Sequence, residues 1–238
     1  MIPIRDDNPY RQLPVITTCL IVINVAIYFY QLFVDKAGAT FIYQYGAIPF
    51  QITHFQPVPH LPRGYHPPIP YFATIFTSMF IHGGFFHLFS NMLYLWIFGD
   101  NIENFLGPAK FILFYFLSGI LAGLIHSMIY ASSMVPTIGA SGAIAGIMGA
   151  YFYLYPNAKV LALVFLFFYI TIIPVPAFIF LGIWFLMQLL PAFVSFGKLG
   201  TGIAFWAHVG GFVAGIVLII LMGGRRRRGY YNSYWRRW

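Results

Sequence analysis

Apolar residues run along this chain in long uninterrupted blocks, parted by short polar or proline-rich stretches, and most of the blocks have the length of membrane helices. Val15 to Val34 supplies twenty residues without a charge, enough to cross the ~30 Å hydrocarbon core at ~1.5 Å per residue. The pattern predicts six such helices, at about 15–34, 87–104, 108–130, 138–155, 176–193 and 203–222. Pro108 suits the first turn of the third helix, and Pro156-Asn157 stops the fourth. A further apolar run at 159–173 is bounded by Pro174 and Pro176 and is short for a span, so it reads as a cytoplasmic loop hugging the membrane. Residues 35–86 carry seven prolines among many aromatics and read as an interfacial loop lying partly in the headgroup layer. The expected plan is a cytoplasmic segment at 1–14, a membrane domain at 15–222 and a basic cytoplasmic tail at 223–238. Its fold class is all-α integral membrane, a six-transmembrane-helix bundle.

Composition agrees with this class. With 60% hydrophobic and 8% charged residues and a mean hydropathy of +0.79, the chain has too little polar material to solvate a globular surface. The net charge of +8 does not imply a nucleic-acid partner, because six of the thirteen basic residues (Arg225, Arg226, Arg227, Arg228, Arg236, Arg237) follow an apolar helix, where positive charge marks a cytoplasmic end. Six spans put both termini inside, with Arg5, Arg11, Lys110, Lys159 and the tail, against Lys36, Arg63 and Lys198 outside. Residues 1–14 lack a small-residue cleavage site or transit signal, so the first span is expected to stay attached, in a bacterial plasma membrane. The single cysteine, Cys19, excludes an intrachain disulfide. His54, His60 and His66 are irregularly spaced and read as loop polarity, not a metal site.

The chemistry is carried by two glycine-rich helices. Gly142 and Gly146 follow Ser141, and Gly211 and Gly215 follow His208, giving both helices faces on which backbones approach closely in a membrane. In the six-span plan Ser141 begins the fourth helix, His208 lies about 7.5 Å into the sixth, and His87 and Asn91, at i and i+4, share a face at the start of the second. All four enter from the outer side at similar depth, where unpaired polar groups are costly. A serine hydroxyl needs a base, and imidazole titrates near neutrality. Attack on a carbonyl creates an oxyanion, for which the Ser141 amide at a helix start, with His87 and Asn91, would be donors. The only acids, Asp6, Asp7, Asp35, Asp100 and Glu103, lie away from His208 in this plan, so the expected unit is a Ser-His dyad. Asn24, inside the first span, reads as an interhelical hydrogen bond. An aspartyl intramembrane protease would need two membrane aspartates and a zinc one a His-Glu-x-x-His helix, and neither pattern occurs. A transporter would call for inverted repeats, which are not evident.

These residues resemble the rhomboid intramembrane serine proteases. Gly139-Ala140-Ser141-Gly142 is similar to their GxSG motif, Ala207-His208-Val209-Gly210-Gly211 to AHxxG, and His82-Gly83-Gly84-Phe85-Phe86-His87-Leu88-Phe89-Ser90-Asn91 to HGGxxHxxxN. The resemblance implies a rhomboid-like six-helix bundle that cuts single-span membrane proteins in or beside their transmembrane segment, in contact with the bilayer and without a cofactor. It implies Ser141 as nucleophile, His208 as base, and His87 and Asn91 as oxyanion donors. It gives Glu103 and His82 structural roles. Two positions depart from the family pattern. Ala73-Thr74 stand where many members have a Trp-Arg pair in the first loop, and Ala145 where some have an aromatic ring stacked on the histidine. Substrate would enter past the fifth helix or the 195–202 loop. The rival expectation is a catalytically inactive relative that binds or chaperones membrane clients, a class that typically lacks the serine or the histidine.

Overall fold

A computed structural model describes residues 1–8, 13–35, 39–166, 169–194 and 204–224. The expected 195–202 loop, Arg11, Lys36, Lys198 and the arginine tail lie outside the described residues. The elements in chain order are β1 (Ile2–Asp6), α1 (Val15–Val34), α2 (Ala39–Tyr45), α3 (Pro49–His54), α4 (Thr74–Ser78), α5 (Phe85–Leu106), α6 (Pro108–Ile129), α7 (Ser141–Leu154), β2 (Lys159–Leu166), β3 (Tyr169–Pro176), α8 (Ala177–Val194) and α9 (Phe205–Leu221). Three of these, α1, α6 and α8, are long and apolar enough to cross a membrane.

The bundle is built around α7. Every residue from Gly142 to Tyr151 is buried, as a helix apolar on all sides must be. Its 14 residues reach only about 21 Å, short of the bilayer core. Surrounded by α5, α6, α8 and α9, it need not meet lipid alone. Small residues make the closest approach: a Cβ on Gly215 of α9 would lie 2.5 Å from Cα of Gly146, and one on Gly146 would lie 2.5 Å from Cβ of Ser118 on α6. α7 is therefore gripped from both sides at backbone distance, which sets the depth of Ser141 at its first turn.

Outside this centre, α1 buries Thr17, Leu20, Asn24, Tyr28 and Gln31, a stripe at helical spacing. Asn24 donates to the carbonyl of Leu20 in its own helix (2.8 Å) and its side chain also faces the Tyr115 hydroxyl of α6, the expected interhelical contact. Pro14 cannot cap the helix by a side chain. Instead the Glu103 carboxylate, at the far end of α5, accepts from Ile16 N (2.9 Å), Thr17 N (2.8 Å) and Thr17 Oγ1 (2.8 Å). An acidic group on these orphan donors also complements the helix dipole. At the other end, Gln31 Nε2 donates to His82 O (3.1 Å), tying α1 to the turn that opens α5.

Two expectations need correction. The stretch 35–86 is not plain loop: α2, α3, α4 and the single turns Arg63–Tyr65 and Tyr71–Ala73 fold it into short helices between its prolines. It is anchored by backbone and threonine hydrogen bonds, with no Trp-Arg pair needed. Ala47 and Thr137 form a bridge (3.0 and 2.8 Å), Phe50 N donates to Ser133 O (2.9 Å), and Thr77 Oγ1 donates to Tyr45 O (2.7 Å). The second correction is to the all-α class. β2 and β3 form an antiparallel hairpin, and β1 from the chain start pairs antiparallel with β2, giving the order β1-β2-β3. Val160, Val164, Ile170, Thr171, Ile172, Ile173 and Val175 are β-branched, and such residues suit a pleated strand better than a helix.

Candidate active site

The approach to Ser141 is fixed before the helix begins. Gly139 adopts φ 113°, a conformation that side chains disfavour, and a Cβ there would lie 2.7 Å from His87 Nε2. Its N–H donates to Ser78 O at 2.8 Å, and the Ala47–Thr137 bridge holds the strand-like segment just before it. Ser141 then opens α7, with no side chain capping the helix from Ala140. The first-turn N–H groups thus point out of the helix at the serine.

His208 lies in the first turn of α9. Its Nε2 is 2.8 Å from Ser141 Oγ and its Nδ1 is 2.8 Å from Gln188 Oε1 on α8. An amide oxygen can only accept, so Nδ1 carries the proton and Nε2 offers its lone pair to the serine hydroxyl. This is the tautomer a general base requires. No acid takes the Nδ1 contact. Ala145 is buried and has no ring to lay on the imidazole; the aromatic neighbour of His208 is instead Trp184 of α8, with ring centroids 6.0 Å apart.

His87 occupies the opposite wall. Gly83 N–H donates to its Nδ1 at 3.3 Å, which leaves the proton on Nε2, the atom next to Gly139. A donor therefore faces the segment that carries Ser141. Asn91 is buried one turn further on and donates Nδ2 to the His87 carbonyl at 2.8 Å; this bond lies within α5 and is not aimed at Ser141. His82 packs edge-on against His87 at 5.1 Å. Burial first, and the neighbouring His87 second, push its pKa down to about 3, so it stands neutral beside the site. Among the described residues no group of three His, Cys, Asp or Glu side chains is arranged to hold a metal.

The arrangement brings Ser141, His208 and His87 to one end of α7, α9 and α5, and puts Asn91 a turn behind His87. Sequence reasoning missed Gln188. The signal was present, since Gln188 is the one amide or ionisable side chain between Ala177 and Val194. It stands six residues from the end of α8, about 9 Å by helical rise, near the level of the histidine.

A serine and a histidine thus meet at the shared end of two glycine-packed helices, inside a bundle that contains three helices long and apolar enough to cross a membrane. Residues 70–225 match the family model described as the Rhomboid domain, and the chain belongs to the rhomboid family. It is 34% identical over 154 residues to Rhomboid protein 1, mitochondrial, of Saccharomyces cerevisiae, covering 60% of this chain and 40% of that protein. It is 32% identical over 168 residues to RHOMBOID-like protein 1 of Arabidopsis thaliana (67% and 36%). It is 40% identical over 79 residues to Rhomboid protease GluP of Bacillus subtilis (33% and 15%). The matches thus span less than half the length of each of these relatives.

Proposed function

We propose that this chain is a serine endopeptidase that hydrolyses peptide bonds in or next to the transmembrane segment of single-span membrane proteins, using Ser141 and His208 as a dyad. The observation that carries the reading is the 2.8 Å contact between His208 Nε2 and Ser141 Oγ, with the imidazole in the tautomer of a base. In this reading His208 takes the hydroxyl proton as Oγ attacks the carbonyl, then gives it to the departing amine. Water, activated by the same imidazole, releases the acyl group from Oγ. The Ser141 amide, His87 Nε2–H and the Asn91 amide stabilise the oxyanion, and Asn91 would have to turn its remaining N–H toward the substrate. No step calls for a cofactor.

The proposal includes six spans with both termini on the inner side, so that the shared end of α5, α7 and α9 opens outward. It also includes a bacterial plasma membrane as the location, although the names of the relatives are mitochondrial as well as bacterial. A client-binding, non-catalytic role leaves the Ser141–His208 geometry without a purpose.

The test is purified protein in detergent with a single-span reporter and a fluorophosphonate. Wild type should cleave the reporter, with EDTA present or absent, and should carry the label on the peptide containing Ser141. Ser141→Ala, His208→Ala and the double variant should be equally inert, because groups acting as one unit are non-additive. A folded wild type that neither cleaves nor labels would favour the client-binding reading.

A further inference from the structure

The base needs a fixed tautomer, and the residue that fixes it sits on the helix least embedded in the bundle. Of the three long apolar helices, α8 has 22% of its span buried, against 28% for α1 and 39% for α6. Its inner face is a stripe of Ala177, Leu181, Trp184, Gln188 and Ala192 at helical spacing. Phe178, Ile183, Leu186 and Leu190 are exposed.

We propose that Gln188 is the positioning residue of His208, and that the Ser141–His208 pair is competent only while α8 is seated against α9; this rests on the protease reading above. Three observations converge on it. The contact between Gln188 Oε1 and His208 Nδ1 is 2.8 Å, as short as the one between Nε2 and Ser141. With the amide turned the other way, its NH2 would force the proton onto Nε2, and the imidazole could not accept from Oγ. Trp184, one turn earlier on the same face, flanks the His208 ring, and Phe185 packs on Phe212 at 4.7 Å, one turn below His208. One helix therefore holds the base both by a hydrogen bond and by a ring.

The chemistry suits a neutral amide. When His208 becomes an imidazolium, its Nδ1–H keeps the acceptor dipole of Gln188 Oε1. The mechanics follow from the solvent. Lipid gives apolar helices no hydrophobic drive to associate, so α8 is held by packing and a few polar contacts. If α8 tilts outward, Gln188 leaves Nδ1 while α7 and α9 stay locked at their glycines. The serine remains in place but loses an oriented base.

The experiment compares wild type with Gln188→Leu, which keeps size and removes the acceptor, and Gln188→Glu, which keeps an acceptor oxygen. Thermal unfolding of each in detergent checks folding. We expect Gln188→Leu to lower kcat for the reporter by about 10–10²-fold with KM unchanged, and to slow fluorophosphonate labelling of Ser141 by the same factor. Gln188→Glu should restore both to within a few-fold. In parallel, protein carrying 15N-labelled histidine reports the tautomer with no substrate present: Nδ1-protonated His208 in wild type, and a mixture in Gln188→Leu. A folded Gln188→Leu variant with wild-type kcat, or with the wild-type tautomer, overturns the proposal. If wild type proves inert while the tautomer still changes with Gln188, the protease reading fails and the positioning role stands.

Discussion

Replacing Gly215 by alanine tests the claim that glycine contacts between α7 and α9 set the distance between Ser141 and His208. The added Cβ would lie 2.5 Å from Gly146 Cα and nearer still to the Gly146 carbonyl oxygen, whereas ordinary contact begins at 3.4 Å, so the helices must part by at least about 0.9 Å. Backbone stands on both sides, and no flexible side chain can give way. Overpacking of this kind costs about 1–3 kcal/mol. If the separation is shared along α9, the 2.8 Å contact between His208 Nε2 and Ser141 Oγ stretches to about 3.7 Å, beyond hydrogen-bond range. A misplacement near 1 Å costs about 10²-fold in rate. Reporter cleavage and fluorophosphonate labelling should both fall by about that factor, with a lowered Tm in detergent. Gly182→Ala on α8, where a Cβ meets nothing within 4 Å, should leave both rates unchanged. A Gly215→Ala protein with wild-type Tm and a labelling rate within twofold of wild type would refute the reasoning.

If His87 is an oxyanion donor, as proposed, His87→Ala should lower kcat by about 10²–10³-fold at nearly unchanged Tm; a loss under threefold would take His87 out of the chemistry. Asp6 offers a pH test. Burial pushes its carboxyl up to about 8, where it accepts from the Tyr151 hydroxyl and from Asn101 Nδ2 at 3.0 Å. The folded chain thus holds a proton that the unfolded chain releases near 4, so this group's contribution to stability falls as pH rises from about 4 to about 8. Tm measured from pH 5 to pH 9 should decline in wild type and decline less in Asp6→Asn; equal slopes would count against the carboxyl as the cause.

The meeting of Ser141 with His208 could be read from the chain because polar groups inside apolar helices are expensive and therefore conspicuous, and because the small residues after each announce close packing. Gln188 was harder to read, since a solitary amide in a span looks like any interhelical tie until the helix it faces is known. The sheet was illegible for another reason. A short apolar run has no period that separates a strand from a fragment of helix, and the partner of β1 lies far along the chain. The short helices of 35–86 were hidden by their prolines, which mark breaks but not the turns between them.

That distance along the chain orders assembly in time. Ile2 faces Leu163, so β1 leaves the ribosome about 160 residues before the strand it pairs with. The helices α1, α5, α6 and α7 are synthesised in the interval. Closing so long a loop in a flexible chain would cost about 4–5 kcal/mol, and the helices already in place lower that cost by bringing the ends together. Pairing of β1 with β2 is thus a late event in biogenesis, and β1 finds its place only after the helices that follow it in the chain.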